Sequence, residues 1–133
     1  MAEPREMQGR VIRTGAAAGP ALVSAEPIGF LGGVDPDTGV VLEPGHPLQG
    51  RSIAERVLVF PTGKGSTVGS YTILRLARNG CGPVAIINRE SEAIVAVGAI
   101  IADIPMVDQV EISALRDGDW IEVDGARIRV TER

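Results

Sequence analysis

The segment Val57–Gly80, VLVFPTGKGSTVGSYTILRLARNG, constrains the fold more than any other part of the chain. Val57–Phe60 is an unbroken apolar run stopped by Pro61, the pattern of a strand covered on both faces. A glycine-rich turn through Gly63 and Gly65 follows. Beyond it Ile73, Leu74, Leu76 and Ala77 recur at helical spacing, while Arg75 and Arg78 point elsewhere. Gly80 stops the helix, and both arginines sit in its last turns, where a cation complements the dipole. Ser66 and Thr67 stand where the turn hands over to the helix, a position at which a hydroxyl caps a free backbone N–H. Strand, glycine turn and helix therefore bring N–H groups, a positive dipole end and a hydroxyl to one point.

Two phosphate-binding loops can be tested against this segment, and both fail. A Walker loop requires glycine where Leu58 stands, and Ser or Thr where Gly65 follows Lys64. The dinucleotide fingerprint places its third glycine at Val68. Two readings stay open on spacing alone: an N-capped helix after a glycine turn, or an anion-binding turn carrying a hydroxyl.

The rest of the chain supports one domain over residues 9–133, preceded by a loose, polar segment over 1–8. A chain of 133 residues can bury a single core without staples. With 44% hydrophobic but only 3% aromatic residues, that core is built from Val, Ile, Leu and Ala. Arg10–Thr14 and Ala21–Ala25 read as two short strands joined through the small residues Ala16–Pro20. PIGFLGGVDPDTGVVLEPGHPL then runs on without a period, and a loop of that length inside a compact domain is more often functional than idle. Asp35-Pro36 and Asp37-Thr38-Gly39 are also plain turn chemistry. His46, the one histidine, has no partner at ligand spacing and reads as a surface loop residue.

After Gly80, Val84–Ile87 reads as a second buried strand. Ser91 can cap a short helix through Ile94, Val95, Val97 and Gly98, and Ile104–Val107 makes a third strand. This is the βαβ rhythm of a parallel sheet. The tail alternates around Asp124-Gly125 as a two-strand hairpin. The pattern predicts a mixed α/β domain in which an antiparallel β layer from both termini packs on a small βαβ unit. A net charge of −4 with no basic stripe argues against nucleic acid as a partner. Cys81, the single cysteine, leaves no internal disulfide, and no apolar N-terminal run suggests a signal peptide or membrane span, so a soluble cytoplasmic chain is expected.

FPTGKGSTVGSY, with FLGGVDPDTG upstream and AIIN…AVGAIIADIPMVD downstream, resembles the small swivel subunit of the aconitase X family. The resemblance runs from about Gly9 to Val130. It implies the swivelling β/β/α fold and a subunit active only with an aconitase-like large subunit. That partner would carry an iron–sulfur cluster, expected to be [4Fe-4S], and this chain would hold no metal. The implied reaction is removal of water from a small phosphorylated hydroxy acid, (R)-5-phosphomevalonate, in an isoprenoid route. Dehydration of cis-3-hydroxy-L-proline is the alternative within the family, and a non-enzymatic phosphate-binding or regulatory module the alternative outside it.

The resemblance also assigns roles. Ser66 matches the swivel-loop serine that takes the proton α to a carboxylate, acting as an alkoxide. Gly63, Lys64, Gly65 and Thr67 surround it as substrate-binding residues, and Gly32, Gly33 and Asp35 match the GGVDP motif near the substrate cleft. The arginine that grips a substrate carboxylate in aconitase, two residues after the serine, is replaced here by Val68. A tricarboxylate held in the aconitase manner is therefore not expected.

Overall fold

Val57 and Val59 face one buried layer and Leu58 and Phe60 the other, and all four are fully buried. The computed structural model describes residues 4–131. Its strands and helices run β1 (Arg5–Gln8), β2 (Arg10–Arg13), β3 (Ala16–Val23), β4 (Val57–Phe60), α1 (Gly69–Arg78), β5 (Ala85–Asn88), α2 (Ala93–Ile101), β6 (Met106–Asp108), β7 (Trp120–Asp124) and β8 (Arg127–Thr131). The strands form one nearly closed sheet in the order β1-β8-β7-β3-β4-β5-β6-β2.

β3 joins the two halves of that sheet. Its first part, Ala16–Pro20, pairs antiparallel with β7, and Ala21–Val23 pairs parallel with β4. β4, β5 and β6 continue in parallel, and β2 closes antiparallel on β6. β1 and β2 lie at opposite ends of the strand order yet are separated in the chain only by Gly9. A Cβ at Gly9 would fall 2.5 Å from the Asp108 carbonyl oxygen, so only glycine lets the backbone cross there.

The antiparallel strands lie over one face of the parallel sheet, with Val57, Val59, Ile87, Ile121 and Ile128 between the layers. α1 and α2 cover the other face over Leu58, Phe60, Ile73, Leu76, Ile86 and Val95. This is the β/β/α arrangement expected from the sequence. Both crossover helices lie on one side, which leaves the carboxyl ends of the parallel strands free to carry loops.

Several local readings are corrected. Ala16–Pro20 is not a linker but the first half of β3. Residues 5–8 are not a loose segment, since Arg5–Gln8 pairs with Val130–Arg127 of β8; Met1–Glu3 lie outside the described residues. Glu92, not Ser91, caps α2, its carboxylate accepting from the Ile94 and Val95 N–H groups. Ser91 instead donates its hydroxyl to Asp108. His46 is buried rather than on the surface. Leu48 N–H donates to its Nδ1, so Nε2 carries the hydrogen and donates to the Pro27 carbonyl at 3.0 Å.

The long loop over residues 24–56 is tethered rather than idle. Ile28, Phe30, Val34, Val41, Leu48 and Ile53 anchor it in the helix-side core. Among the described residues no helix is long and apolar enough to cross a membrane.

Candidate functional site

The serine-bearing loop leaves the carboxyl end of β4, where parallel sheets present their ligands. It is pinned from both sides before it reaches Ser66. The Pro61 carbonyl accepts from the Arg89 and Glu90 N–H groups beyond β5. Ile28 N–H donates to the Thr62 carbonyl, and Lys64 N–H donates to the Ile28 carbonyl. Gly63 is buried under the N-terminus of α2, and a Cβ there would meet Glu92 Oε1 and Val95 Cγ2 at 2.5 Å. Its glycine is a packing requirement. Gly65 has φ +94°, so its glycine is conformational, and it is this turn that lifts Ser66 out of the fold.

Lys64, Gly65, Ser66, Thr67 and Val68 are all exposed. Ser66 Oγ accepts from the Val68 N–H at 3.2 Å. The residue flanking the start of α1 is Val68, with no side-chain cap, so neither Ser66 nor Thr67 caps the helix in the expected way. The first N–H groups of α1 are also occupied: Gly69 N–H donates to the Ser66 carbonyl and Tyr71 N–H to that of Val68. The N–H groups without an acceptor among the described residues lie one turn earlier, at Gly65, Ser66 and Thr67. The loop thus carries a hydroxyl whose oxygen already accepts one N–H, and three neighbouring residues whose N–H groups are open to an acceptor, the kinds of donor that stabilise an oxyanion.

Beside this loop runs an open groove of about 490 Å³. Gly32, Gly33, Lys64 and Gly65 line it, together with Leu31 and Glu43. Four of the residues singled out from the sequence thus meet at one place, with Ser66 next in the chain. Lys64 Nζ lies 3.0 Å from Glu43 Oε2, so the lysine is already partnered. Glu43 escaped the sequence reading because nothing in the intervening loop marks it; the pair forms only when that loop folds back.

Three of the expected substrate-binding residues do not line this groove: Gly63 is buried beneath α2, and Asp35 and Thr67 fall elsewhere. Asp35 does not line the groove: its carboxylate accepts from Asp37 N–H and its carbonyl from Gly39 N–H, which is turn chemistry. Thr67 lines a second groove, between the helices, with Ser70, Ala93, Ile94 and Val97.

Away from the loop, a carboxyl and a thiol titrate off their ordinary values. Burial alone would raise the Asp108 carboxyl, but donors from Arg10 and Ser91 outweigh it and leave the group below its ordinary value. Those donors are Arg10 Nε and Nη2 at 2.9 and 2.8 Å and the Ser91 hydroxyl and N–H at 2.7 and 3.0 Å. Burial, then the charges of Asp35 and Asp37, push the Cys81 thiol up; it donates to the Pro36 carbonyl at 3.3 Å. That is a structural rather than a reactive cysteine. Among the described residues no group of His, Cys, Asp and Glu is placed to hold a metal. An iron–sulfur cubane takes about three or four thiolates, so the residues of this chain do not fit one.

The family described as Aconitase X swivel domain matches residues 6–131. The phosphomevalonate dehydratase small subunit of Methanosarcina acetivorans is 56% identical over 126 residues, covering 92% of this chain and 88% of the relative. The protein of the same name from Methanothrix thermoacetophila is 60% identical over 115 residues, covering 85% and 84%. A crystal structure of Thermococcus kodakaraensis aconitase X in its holo-form superposes with a TM-score of 0.94 at 50% identity, over 96% of this chain and 99% of that one.

Proposed function

The chain belongs to the aconitase X swivel family, and from that premise we propose that it is the small subunit of a phosphomevalonate dehydratase. Joined to its large subunit, it removes water from (R)-5-phosphomevalonate to give trans-anhydromevalonate 5-phosphate. The observation that carries this reading is the high identity to archaeal small subunits of that name, sustained over most of both chains. The hydroxyproline and non-enzymatic readings have no comparable support.

In this reading residues 5–131 move as one swivel body, and the complex works in the cytoplasm. The large subunit is aconitase-like and holds the iron–sulfur cluster, of the [4Fe-4S] type. This chain contributes the base. Ser66 Oγ, as alkoxide, takes the proton α to the substrate carboxylate. The Val68 N–H on that oxygen and the open donors at Gly65, Ser66 and Thr67 support its negative charge. One such donor contributes roughly 3–4 kcal/mol in a dry site, against ~0.3–1 kcal/mol from a helix dipole. The backbone donors therefore matter more than the helix behind them. Lys64 and the glycines Gly32, Gly33 and Gly65 receive the phosphorylated end of the substrate in the groove.

The test is reconstitution with the large subunit and comparison of three substrates. 5-Phosphomevalonate is expected to turn over, with mevalonate and cis-3-hydroxy-L-proline far slower. A site built around a phosphate leaves donors unpaired when the phosphate is missing. Equal rates for mevalonate would remove the phosphate-recognition role, and faster hydroxyproline turnover would replace the substrate.

A further inference from the structure

Among the described residues, the large apolar side chains left exposed are Val11 on β2, Leu31 and Leu42 in the long loop, and a group of five at the two helices. Val68 and Tyr71 stand at the start of α1, and Val97, Ile100 and Ile101 along α2. β1, β7 and β8 instead turn charged residues outward, among them Glu6, Glu122, Asp124 and Arg129. α2, AIVAVGAII, carries no charge at all. A helix facing water normally has a polar face, and one that is apolar all round is normally covered. Ala93, Val97 and Ile100 form its outward stripe, opposite the buried Val95 and Ala99. Singly exposed apolar residues are ordinary; a contiguous stripe marks an interaction site.

The stripe is continuous with the serine loop. Val97 and Ile94 line the inter-helix groove together with Thr67, the residue after Ser66. Gly98 lets α2 pack close on α1 beside this groove, since a Cβ there would come within 2.5 Å of Ile73 Cδ1. We propose that the outward face of α2 and the adjoining groove dock an apolar surface of the large subunit, and that this contact carries Ser66 into the shared cleft. The proposal rests on the small-subunit reading above. The occupant follows from continuity: the chain that covers Ser66 must also cover Thr67, and with it the groove. A second copy seated on α2 would instead cover the serine loop with a surface that holds no cluster ligands. A stable contact takes roughly 800 Å² from each partner, so the stripe forms the apolar centre of a patch with the serine loop on its rim.

The test uses the full chain co-purified with its large subunit. Val97→Glu and Ile100→Glu are compared with Glu122→Ala on the antiparallel layer. The charged variants are expected to weaken association at least tenfold, with dehydratase activity restored at high large-subunit concentration and the melting temperature of the isolated chain kept. Glu122→Ala is expected to bind like wild type. Val97→Ser serves as the milder substitution, and amide exchange in α2 is expected to slow on complex formation. Wild-type affinity for both charged variants, within an active complex, would overturn the docking surface and leave the function standing. Dispersal of a self-associated chain by Val97→Glu, with large-subunit binding unchanged, would overturn it in favour of a homodimer. A wild-type chain that neither binds the large subunit nor supports turnover would remove the function and the surface together.

Discussion

Lys64 Nζ meets Glu43 Oε2 at 3.0 Å across the groove beside the serine loop, tying the long loop to the residue two before Ser66. Both side chains are part-exposed, and such ion pairs contribute about 0–1 kcal/mol. A dianionic phosphate can therefore displace Glu43. Lys64→Ala is expected to raise KM for 5-phosphomevalonate at least tenfold, whereas Glu43→Gln leaves KM equal or lower and stability nearly unchanged. If both variants raise KM alike, the pair positions the loop and Lys64 does not take the phosphate.

Ser66→Ala is expected to lower kcat by about 10²–10⁴ or more, as loss of a general base does. The fold should survive, because Ser66 is exposed and its oxygen takes part in one short-range hydrogen bond worth about 0.5–1.5 kcal/mol. Thr67→Ala, whose hydroxyl caps nothing, should keep both the melting temperature and most of the activity. Steady-state kinetics of well-folded complexes decide this, and near-normal rates from Ser66→Ala would end the assignment.

The two glycines of the loop should fail differently. Gly65→Ala places an L-residue at φ +94° and costs about 1–2 kcal/mol. Because it re-aims Ser66, its larger effect should be on kcat. Gly63→Ala pushes on Glu92 and loosens the cap of α2, at about 0.5–2 kcal/mol, so its larger effect should be on thermal melting. Matched losses of kcat and stability in both variants would contradict the division.

Acid should weaken the fold through Asp108. Its folded pKa lies below the unfolded value of about 3.9, so its contribution is present above that pH and is lost as pH falls through the folded value. Asp108→Asn is expected to destabilise the chain by about 1.5–3 kcal/mol at pH 7, the scale of hydrogen bonds to a charged group. Urea melts from pH 7 to pH 3 should show the gap between wild type and variant closing at the acid end. A constant gap would mean that the charge of Asp108 is not what the Arg10 and Ser91 donors recognise.

Much of this was legible in the sequence where burial has a period. VLVF announced a strand covered twice, and the spacing of Ile73 and Leu76 announced the helix packed above it. Ala16–Pro20 was not legible as a strand, since Ala, Gly and Pro are poor strand formers and their pairing is set by β7. The serine loop was recognisable by motif. Its donor geometry was not, because the shift of free N–H groups from the helix start to Gly65–Thr67 depends on a turn that only coordinates reveal. His46 misled for the opposite reason: glycine and proline around it look like surface, yet its ring nitrogens stitch the loop from within.

The pairing of β1 with β8 bears on how the chain acquires its structure. Within this domain the first strand in the sequence has the last strand as its neighbour, so the sheet cannot close until β8 is available. Until then β1 and β7 wait as open edges beside a nearly complete parallel core, and such unpaired strands are prone to join other chains. Folding of the domain should thus wait for β8, on the slow milliseconds-to-seconds scale of topologies dominated by distant contacts. Nascent chains arrested before Arg127 are the species that will need a chaperone.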